Sequence, residues 1–278
     1  MQKISAVIID TFPNKVVPLL AIRRTARLPN FLKLYTLSDE PFIPGAVFHK
    51  IEPIRSLTHY SDIALRLLPE VVQEDHFLLI QWDGMPVSPP NWDKTFLQFD
   101  YIGAPWDGQP PQFAVGNGGF SLRSRRLLEA IRSLGIAVEH SDRSHQAEDI
   151  LICRTHRARL EDMGIKFAPP ELARKFSFET GMPTKAVFGF HSTDNFPIFL
   201  SEDELLGFSS EIVSRQSTLK ILLNYLENML RMNMHDLLRL TITAIHASPP
   251  LDAAVARNFK NVPPHYRIAN ALKQEFGP

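Results

Sequence analysis

Read as a succession of apolar and polar stretches, the first 80 residues repeat one rhythm. Ile4 to Ile9 is a short apolar run that stops at Asp10-Thr11. Val16 to Arg27 has helical spacing, with Pro18 tolerated in its first turn, and Phe31 to Leu37 is a strand ending in Ser38-Asp39. The unit then recurs: Val47 to Ile51 reads as a strand, Thr58 to Val72 as a helix, and Phe77 to Ile80 as a buried strand. Such alternation predicts an α/β sheet with parallel strands, whose ligands sit beyond the carboxyl ends of the strands. The polar residues at those ends are Asp10, Thr11, Asp39 and the run Gln81-Trp82-Asp83-Gly84, and they become the first candidates for a site.

Further along, the pattern predicts a helix from about Ser124 to Leu134 and a second from Glu148 to Met163 closed by Gly164. Strands are expected at Ile165 to Phe167 and Val187 to Phe190. Beyond Asn195 the character changes. Leu219, Leu222, Leu223, Leu226 and Leu230 form a helical stripe, followed by short helical patterns separated by Pro249-Pro250 and Pro263-Pro264. The expected organisation is a core over residues 1–195 and a helical extension over 196–278. The stripe reads as packing surface rather than a cofactor box, with homo-oligomer formation or acceptor contact as further uses for it.

Composition narrows the classes. In 278 residues, 44% hydrophobic content supplies a buried core, and 30 basic residues balance 30 acidic ones. No bulk field draws nucleic acid or an anionic membrane, so no nucleic-acid partner is expected. A single cysteine, Cys153, excludes an internal disulfide. There is no charged-then-apolar leader and no apolar run of about 18 residues, so no transmembrane segment is expected and the expected home is cytoplasmic, with membrane association only through a partner. Hydrolase chemistry finds little support: no Gly-x-Ser-x-Gly elbow occurs, and Cys153 lies inside a helical pattern.

The strongest local signal is Val115-Gly116-Asn117-Gly118-Gly119-Phe120-Ser121-Leu122-Arg123. Its glycines let a backbone bend sharply and approach a ligand closely. It is not the dinucleotide fingerprint, because Ser121 stands where the last glycine would be, and it is not a phosphate loop, because no Lys-Ser or Lys-Thr follows. An ordinary tight turn between strands has the same spelling. Trp82, Trp92, Tyr101 and Trp106 fall close together before it, and Trp106 is the aromatic residue expected to meet a ligand. His140, His145 and His156 have no ligand-like partners in the sequence.

Taken in order, Asp83 after a strand, the 116–119 turn, Glu148-Asp149 at a helix start and His191 after a late strand resemble the landmarks of nucleotide-sugar transferases of GT-A fold. The run from Phe77 to His191 is more closely similar to a GT-A-like glycosyltransferase family catalogued as a domain of unknown function, through Gln81-Trp82-Asp83, Tyr101-Ile102-Gly103-Ala104-Pro105-Trp106, the glycine run and Glu148-Asp149. The resemblance implies a GT-A-like, Rossmann-type mixed sheet flanked by helices, with the C-terminal helices as an appendage. It implies transfer of a sugar from a nucleoside-diphosphate donor, UDP-linked, to an acceptor hydroxyl on a carbohydrate or other molecule, inverting and metal-assisted.

In that reading Asp83 and His191 hold Mn2+ or Mg2+, which neutralises charge on the leaving diphosphate. Asp149 is the general base, with Glu148 orienting it or binding acceptor. Asp10, Thr11, Asp39, Tyr60, Gln81, Trp82, Trp106, Gly116, Asn117, Gly118, Gly119 and Arg123 bind substrate, Arg123 by reaching a phosphate; Ser61 stands beside Tyr60 at the helix start. Gln81 replaces the first acid of an Asp-x-Asp pair, which weakens the metal site. For Glu148-Asp149 the plain alternative is two acids complementing a helix dipole. Two other functions stay open: a noncatalytic binding or assembly module, and a nucleotidyltransferase, against which Arg23-Arg24 on a helix is a poor substitute for a basic glycine loop.

Overall fold

The computed structural model describes residues 3–139, 146–184, 186–216 and 218–259, and His140, His145 and Pro263-Pro264 lie outside them. The chain divides into two compact units, Met1–His191 and Ser192–Pro278.

In the first unit the elements run β1 Ile4–Ile9, α1 Val16–Ala26, β2 Phe31–Ser38, β3 Val47–Lys50, α2 Leu57–Val71, β4 His76–Ile80, β5 Gly84–Pro86, β6 Tyr101–Ile102, β7 Phe120–Ser124, α3 Arg125–Ser133, α4 Glu148–Ile150, α5 Arg157–Asp162, α6 Pro170–Phe176, β8 Ser177–Phe178 and β9 Gly189–His191. Two sheets result, ordered β3-β2-β1-β4-β7-β6 and β5-β9-β8. The fold is α/β with a mixed central sheet flanked by helices, the class expected from the sequence. β3, β2, β1 and β4 are parallel, as strand-helix alternation requires. β7 then runs antiparallel to β4, with Ile80 opposite Phe120, and β6 antiparallel to β7.

Local chemistry explains the boundaries. Ser56 opens α2 by accepting the His59 N–H at 3.0 Å, and Ser124 opens α3 by accepting the Leu127 N–H at 3.0 Å, each satisfying an amide that the helix cannot. Pro18 does sit in the first turn of α1. The apolar face of α2 (Ile63, Ala64, Leu68) packs on Val7, Leu37, Phe77 and Leu79 of the sheet. A second cluster joins Leu127 and Ile131 of α3 to Tyr101, Ile152, Cys153, Leu160 and Phe167. Phe120 stacks on Phe176 at 5.2 Å, tying β7 to α6.

Three expectations need correction. The helix expected from Glu148 to Met163 is broken: a π-helical turn at Leu151–Thr155 separates α4 from α5. Leu151, Ile152 and Cys153 are consecutive and all buried, a run that does not by itself distinguish this wider turn from an ordinary helical one. Ile165 to Phe167 makes only one bridge, Tyr101 to Phe167. The last strand starts at Gly189, not Val187, because its ladder is limited by the three residues of β5 opposite it.

The second unit holds α7 Phe196–Phe199, α8 Glu202–Leu205, α9 Ser209–Arg215, α10 Leu219–Arg231, α11 His235–His246 and α12 Pro249–Phe259. The α10 stripe buries Leu222, Leu223, Leu226 and Met229, while Leu219 and Leu230 are half-buried. The unit begins before residue 196 because the turn Thr193–Asn195 is bound to α10: Asp194 accepts from Asn224 at 3.1 Å and, through its carbonyl, from Asn228 at 2.8 Å.

Candidate functional site

Antiparallel pairing of β4 with β7 decides what meets what. Gln81, one residue beyond β4, donates its backbone N–H to the Gly119 carbonyl at 2.9 Å, and Gly84 closes a tight turn by donating to the Gln81 carbonyl at 3.1 Å. Asp83 therefore stands in a turn against the glycine run. β5 and β9 pair with Gly84 opposite His191, which delivers the histidine to the same place.

His191 is the hub. Its Nε2 lies 3.6 Å from Asp83 Oδ1 and 3.3 Å from Gln81 Oε1. Its Nδ1 lies 3.1 Å from Asn117 Nδ2 and 3.4 Å from Glu179 Oε1. Burial opposes a charge on the ring, but Asp83 and Glu179 on its two nitrogens prevail and hold its pKa well above the usual histidine range. Asn117 reaches the ring from a left-handed backbone (φ 59°) that asparagine tolerates better than most residues. Gly119 has to be glycine, because a Cβ there would strike the imidazole.

The acid pair approaches from the other side of the turn. Gly118 donates its N–H to Asp149 Oδ2 at 2.9 Å, and the Ile150 N–H binds Oδ1 at 2.8 Å. Burial, together with the adjacent Glu148, raises the Asp149 carboxyl from 3.8 to about 6, against the pull of those amides and of Arg123. Glu148 points inward: its Oε1 accepts from Arg123 Nη2 at 2.8 Å, and its own N–H donates to Ser61 Oγ at 3.0 Å. Arg123 is 1% exposed, so the phosphate contact expected of it is replaced by this internal ion pair, because a guanidinium inside the protein needs a carboxylate more than it needs reach. Tyr60 is buried beside Gln81, Glu148 and Arg123, and burial raises its hydroxyl above the ordinary tyrosine range.

The remaining candidates divide. Trp106 presses its ring against Gly116 and carries the Arg154 guanidinium 4.1 Å from its centroid, so much of its surface is already engaged. Trp82 is half-buried. Asp10, Thr11 and Asp39 form a second group at the ends of β1 and β2. There Lys15 reaches both Asp10 (3.5 Å) and Asp39 (3.4 Å), and Thr11 Oγ1 accepts the Ile54 N–H at 2.7 Å. His156 donates its backbone N–H to the Leu151 carbonyl at 2.9 Å, and burial lowers its pKa. Trp92 packs edge-on to Phe96 and Phe188, at 5.6 and 5.1 Å.

Sequence reasoning missed Glu179, Lys15, Arg154 and the role of Ser61. Each comes from a segment with no motif of its own: Glu179 follows β8, Lys15 precedes α1, Arg154 lies in the π-helical turn and Ser61 is on α2. Beside Glu179, a cavity of about 250 Å3 is lined by Pro105, Asp107, Arg174, Glu179, Thr180 and Met182, among others. A larger one, about 890 Å3, opens along Pro90 to Gln98 and is lined by none of the expected site residues.

Among the described residues no group of three or more His, Cys, Asp or Glu side chains is placed to hold a metal ion. Donors around six-coordinate Mg2+ stand about 3 Å apart. Asp83 Oδ1 and Gln81 Oε1, at 3.6 and 3.3 Å from His191 Nε2, fit that spacing with small shifts, the amide oxygen taking a carboxylate's place.

Comparison with solved structures finds loose likenesses. A mannosyltransferase from Pyrobaculum calidifontis, solved in complex with GDP-Man and Mn2+, is 13% identical with a TM-score of 0.39, covering 99% of this chain and 88% of its own. A glycosyltransferase involved in glycosylation of the major capsid of PBCV-1 is 12% identical with a TM-score of 0.46, covering 69% and 93%. S. aureus TarS is 11% identical with a TM-score of 0.41, covering 83% and 72%. Likeness at this level says nothing of substrate. No curated protein matches the sequence. Residues 45–191, which carry Asp83, the glycine turn, the acid pair and His191, match the family model of a protein of unknown function, DUF5672, and the chain belongs to that family.

Proposed function

We propose that this chain is a glycosyltransferase that moves a sugar from a UDP-linked donor to an acceptor hydroxyl, with inversion at the anomeric carbon. One observation carries the reading: the glycine turn has a carboxylate and an imidazole on one side, Asp83 and His191, and a separate carboxylate of raised pKa on the other, Asp149.

Glycosyl transfer asks for this division. The acceptor oxygen bonds to the anomeric carbon as the bond from that carbon to the diphosphate oxygen breaks, and the hydroxyl proton must leave at the same time. Asp149 Oδ2, held by the Gly118 amide and half-buried, would take that proton; a base with a pKa of about 6 is ionised at neutral pH and still basic enough to be useful. Negative charge gathers on the departing diphosphate. Asp83, His191 and Gln81 would hold a divalent cation beside it, which supplies Lewis-acid neutralisation when bound. Asp10, Thr11 and Asp39, at the ends of β1 and β2, would receive the nucleoside.

The test is thermal unfolding and donor hydrolysis with UDP-glucose, UDP-galactose and UDP-N-acetylglucosamine, each with and without Mn2+. Stabilisation by a UDP-sugar with release of UDP is expected. Stabilisation with no turnover would favour the second reading, a binding module, for which Gln81 in place of an acid is the specific observation. No response to any nucleotide would remove both.

A further inference from the structure

Gly118 is held at both ends. Its N–H donates to Asp149 Oδ2 at 2.9 Å, and its carbonyl accepts the Ser121 hydroxyl at 3.1 Å. Ser121 Oγ accepts from Arg123 Nε at 3.0 Å, Arg123 Nη2 donates to Glu148 Oε1 at 2.8 Å, and Glu148 precedes Asp149 in the chain. These contacts close a ring through Asp149, Gly118, Ser121, Arg123 and Glu148. Arg123 and Glu148 are 1% and 3% exposed, and the guanidinium lies 5.2 Å from the centroid of Tyr101. A Cβ on Gly118 would strike Glu148 Oε1, so the turn rests directly on the ion pair.

Two neighbouring acids under a glycine turn would repel each other, and either partner of a buried ion pair left alone is strongly destabilising. Pairing Glu148 with Arg123 removes both difficulties and, among the described residues, leaves Asp149 as the acid of the pair with no ion-paired cation. We propose that Arg123 is a positioning residue: joined to Glu148, it fixes the Gly118 peptide and reserves Asp149, of the two acids, for the substrate's proton. That the proton is an acceptor hydroxyl's rests on the glycosyl-transfer reading; the clamp does not. The titratable groups around Asp149 are Tyr60 from α2, Tyr101 from β6, Arg123 from β7, and Glu148 and Cys153 from its own segment. Burial holds both tyrosines and the thiol in their neutral forms, so Arg123 and Glu148 are the charges that act on it.

The experiment follows the Asp149 carboxyl by 13C NMR pH titration in the full chain, assigned against Asp149→Asn. It compares the unsubstituted protein with Glu148→Gln, Arg123→Lys and the double variant Arg123→Met/Glu148→Gln. Removing the like charge while the cation stays should lower the Asp149 midpoint by about one unit in Glu148→Gln. Removing both charges should return it to within about half a unit of the starting value, and should restore thermal stability lost in the single variant. Arg123→Lys keeps the charge but loses the Nε–H to Ser121, so the midpoint should hold while exchange of the Gly118 amide hydrogen quickens by about tenfold or more.

An Asp149 midpoint unmoved in folded Glu148→Gln, or Gly118 exchange unchanged in Arg123→Lys, would overturn the proposal. Should Glu148→Gln fail to fold, a double variant that also fails, or that titrates more than about one unit away, overturns it equally. The expected shifts with no turnover of any UDP-sugar would leave the clamp standing and remove the glycosyl-transfer reading instead.

Discussion

Asp83 Oδ1 and His191 Nε2 face each other at 3.6 Å across the turn that joins β4 to β5, though 108 positions separate them in the sequence. The pairing of Gly84 with His191 makes that meeting obligatory. Asp83→Asn keeps the shape and removes the charge, so Mn2+ affinity measured by calorimetry with UDP present should fall by at least about tenfold while the unfolding temperature stays within a few degrees. Unchanged Mn2+ binding would remove the metal assignment.

Asp149 gives the pH dependence. Its pKa is raised from 3.8 to about 6, so kcat/KM for transfer should rise with pH through about 6 and then level off, and Asp149→Ala should lower turnover by about 10²–10⁴-fold. Unchanged turnover would return the acid pair to its helix-dipole explanation. Stability should run the other way. A raised carboxyl pKa favours the folded state fully below about 4 and loses that contribution as pH rises through about 6, so Asp149→Asn should gain stability relative to the natural protein between pH 4 and pH 8. Denaturant titrations at the two pH values measure the difference.

Gly119→Ala should damage the site from within. The added Cβ would meet the His191 imidazole and Gln81 Oε1, and β9 holds His191 in a ladder that cannot retreat far. Destabilisation of about 1–3 kcal/mol in urea unfolding, with loss of Mn2+ response, is expected. Gly45→Ala is the control for space, since nothing lies within 4 Å of a Cβ there, although its φ of +78° adds strain of its own.

In the helical unit Leu226 is fully buried on α10, and Leu226→Ala should lower the stability of that unit by about 2–5 kcal/mol. Donor binding should persist if residues 1–191 carry the site. Nucleotide affinity measured below the new unfolding temperature checks this, and its loss would place part of the donor site beyond His191.

Much of the fold was legible because burial writes itself into the spacing of apolar residues: Ile4 to Ile9 and Phe31 to Leu37 fall within one residue of the observed strands. What escaped was either direction or register. Nothing in Phe120 to Ser124 says that this strand runs against β4, and the buried run Leu151-Ile152-Cys153 does not announce the π-helical turn that holds it. The site divides in the same manner. Asp83, Asn117, Gly118, Asp149 and His191 stood in recognisable runs and do converge, whereas Glu179 and Lys15 are single charges in unremarked segments. Arg123 was visible, but its direction was not: a side chain on a strand points to one face or the other, and burial beside Glu148 chose the inner one.

The stretch 107–112 is exposed throughout, yet it hangs between Trp106 and the glycine turn. Its ends are fastened by the Pro105–Val115 bridge and by the Trp106 amide on the Ala114 carbonyl at 2.6 Å, and Asp107 accepts the Thr180 hydroxyl at 2.7 Å, so positions 108–112 can be rewritten without moving those anchors. Doubling the length of such a tip costs only about 0.6 kcal/mol in closure entropy. A longer or shorter tip is therefore tolerated at little cost, because what fixes it lies at its base.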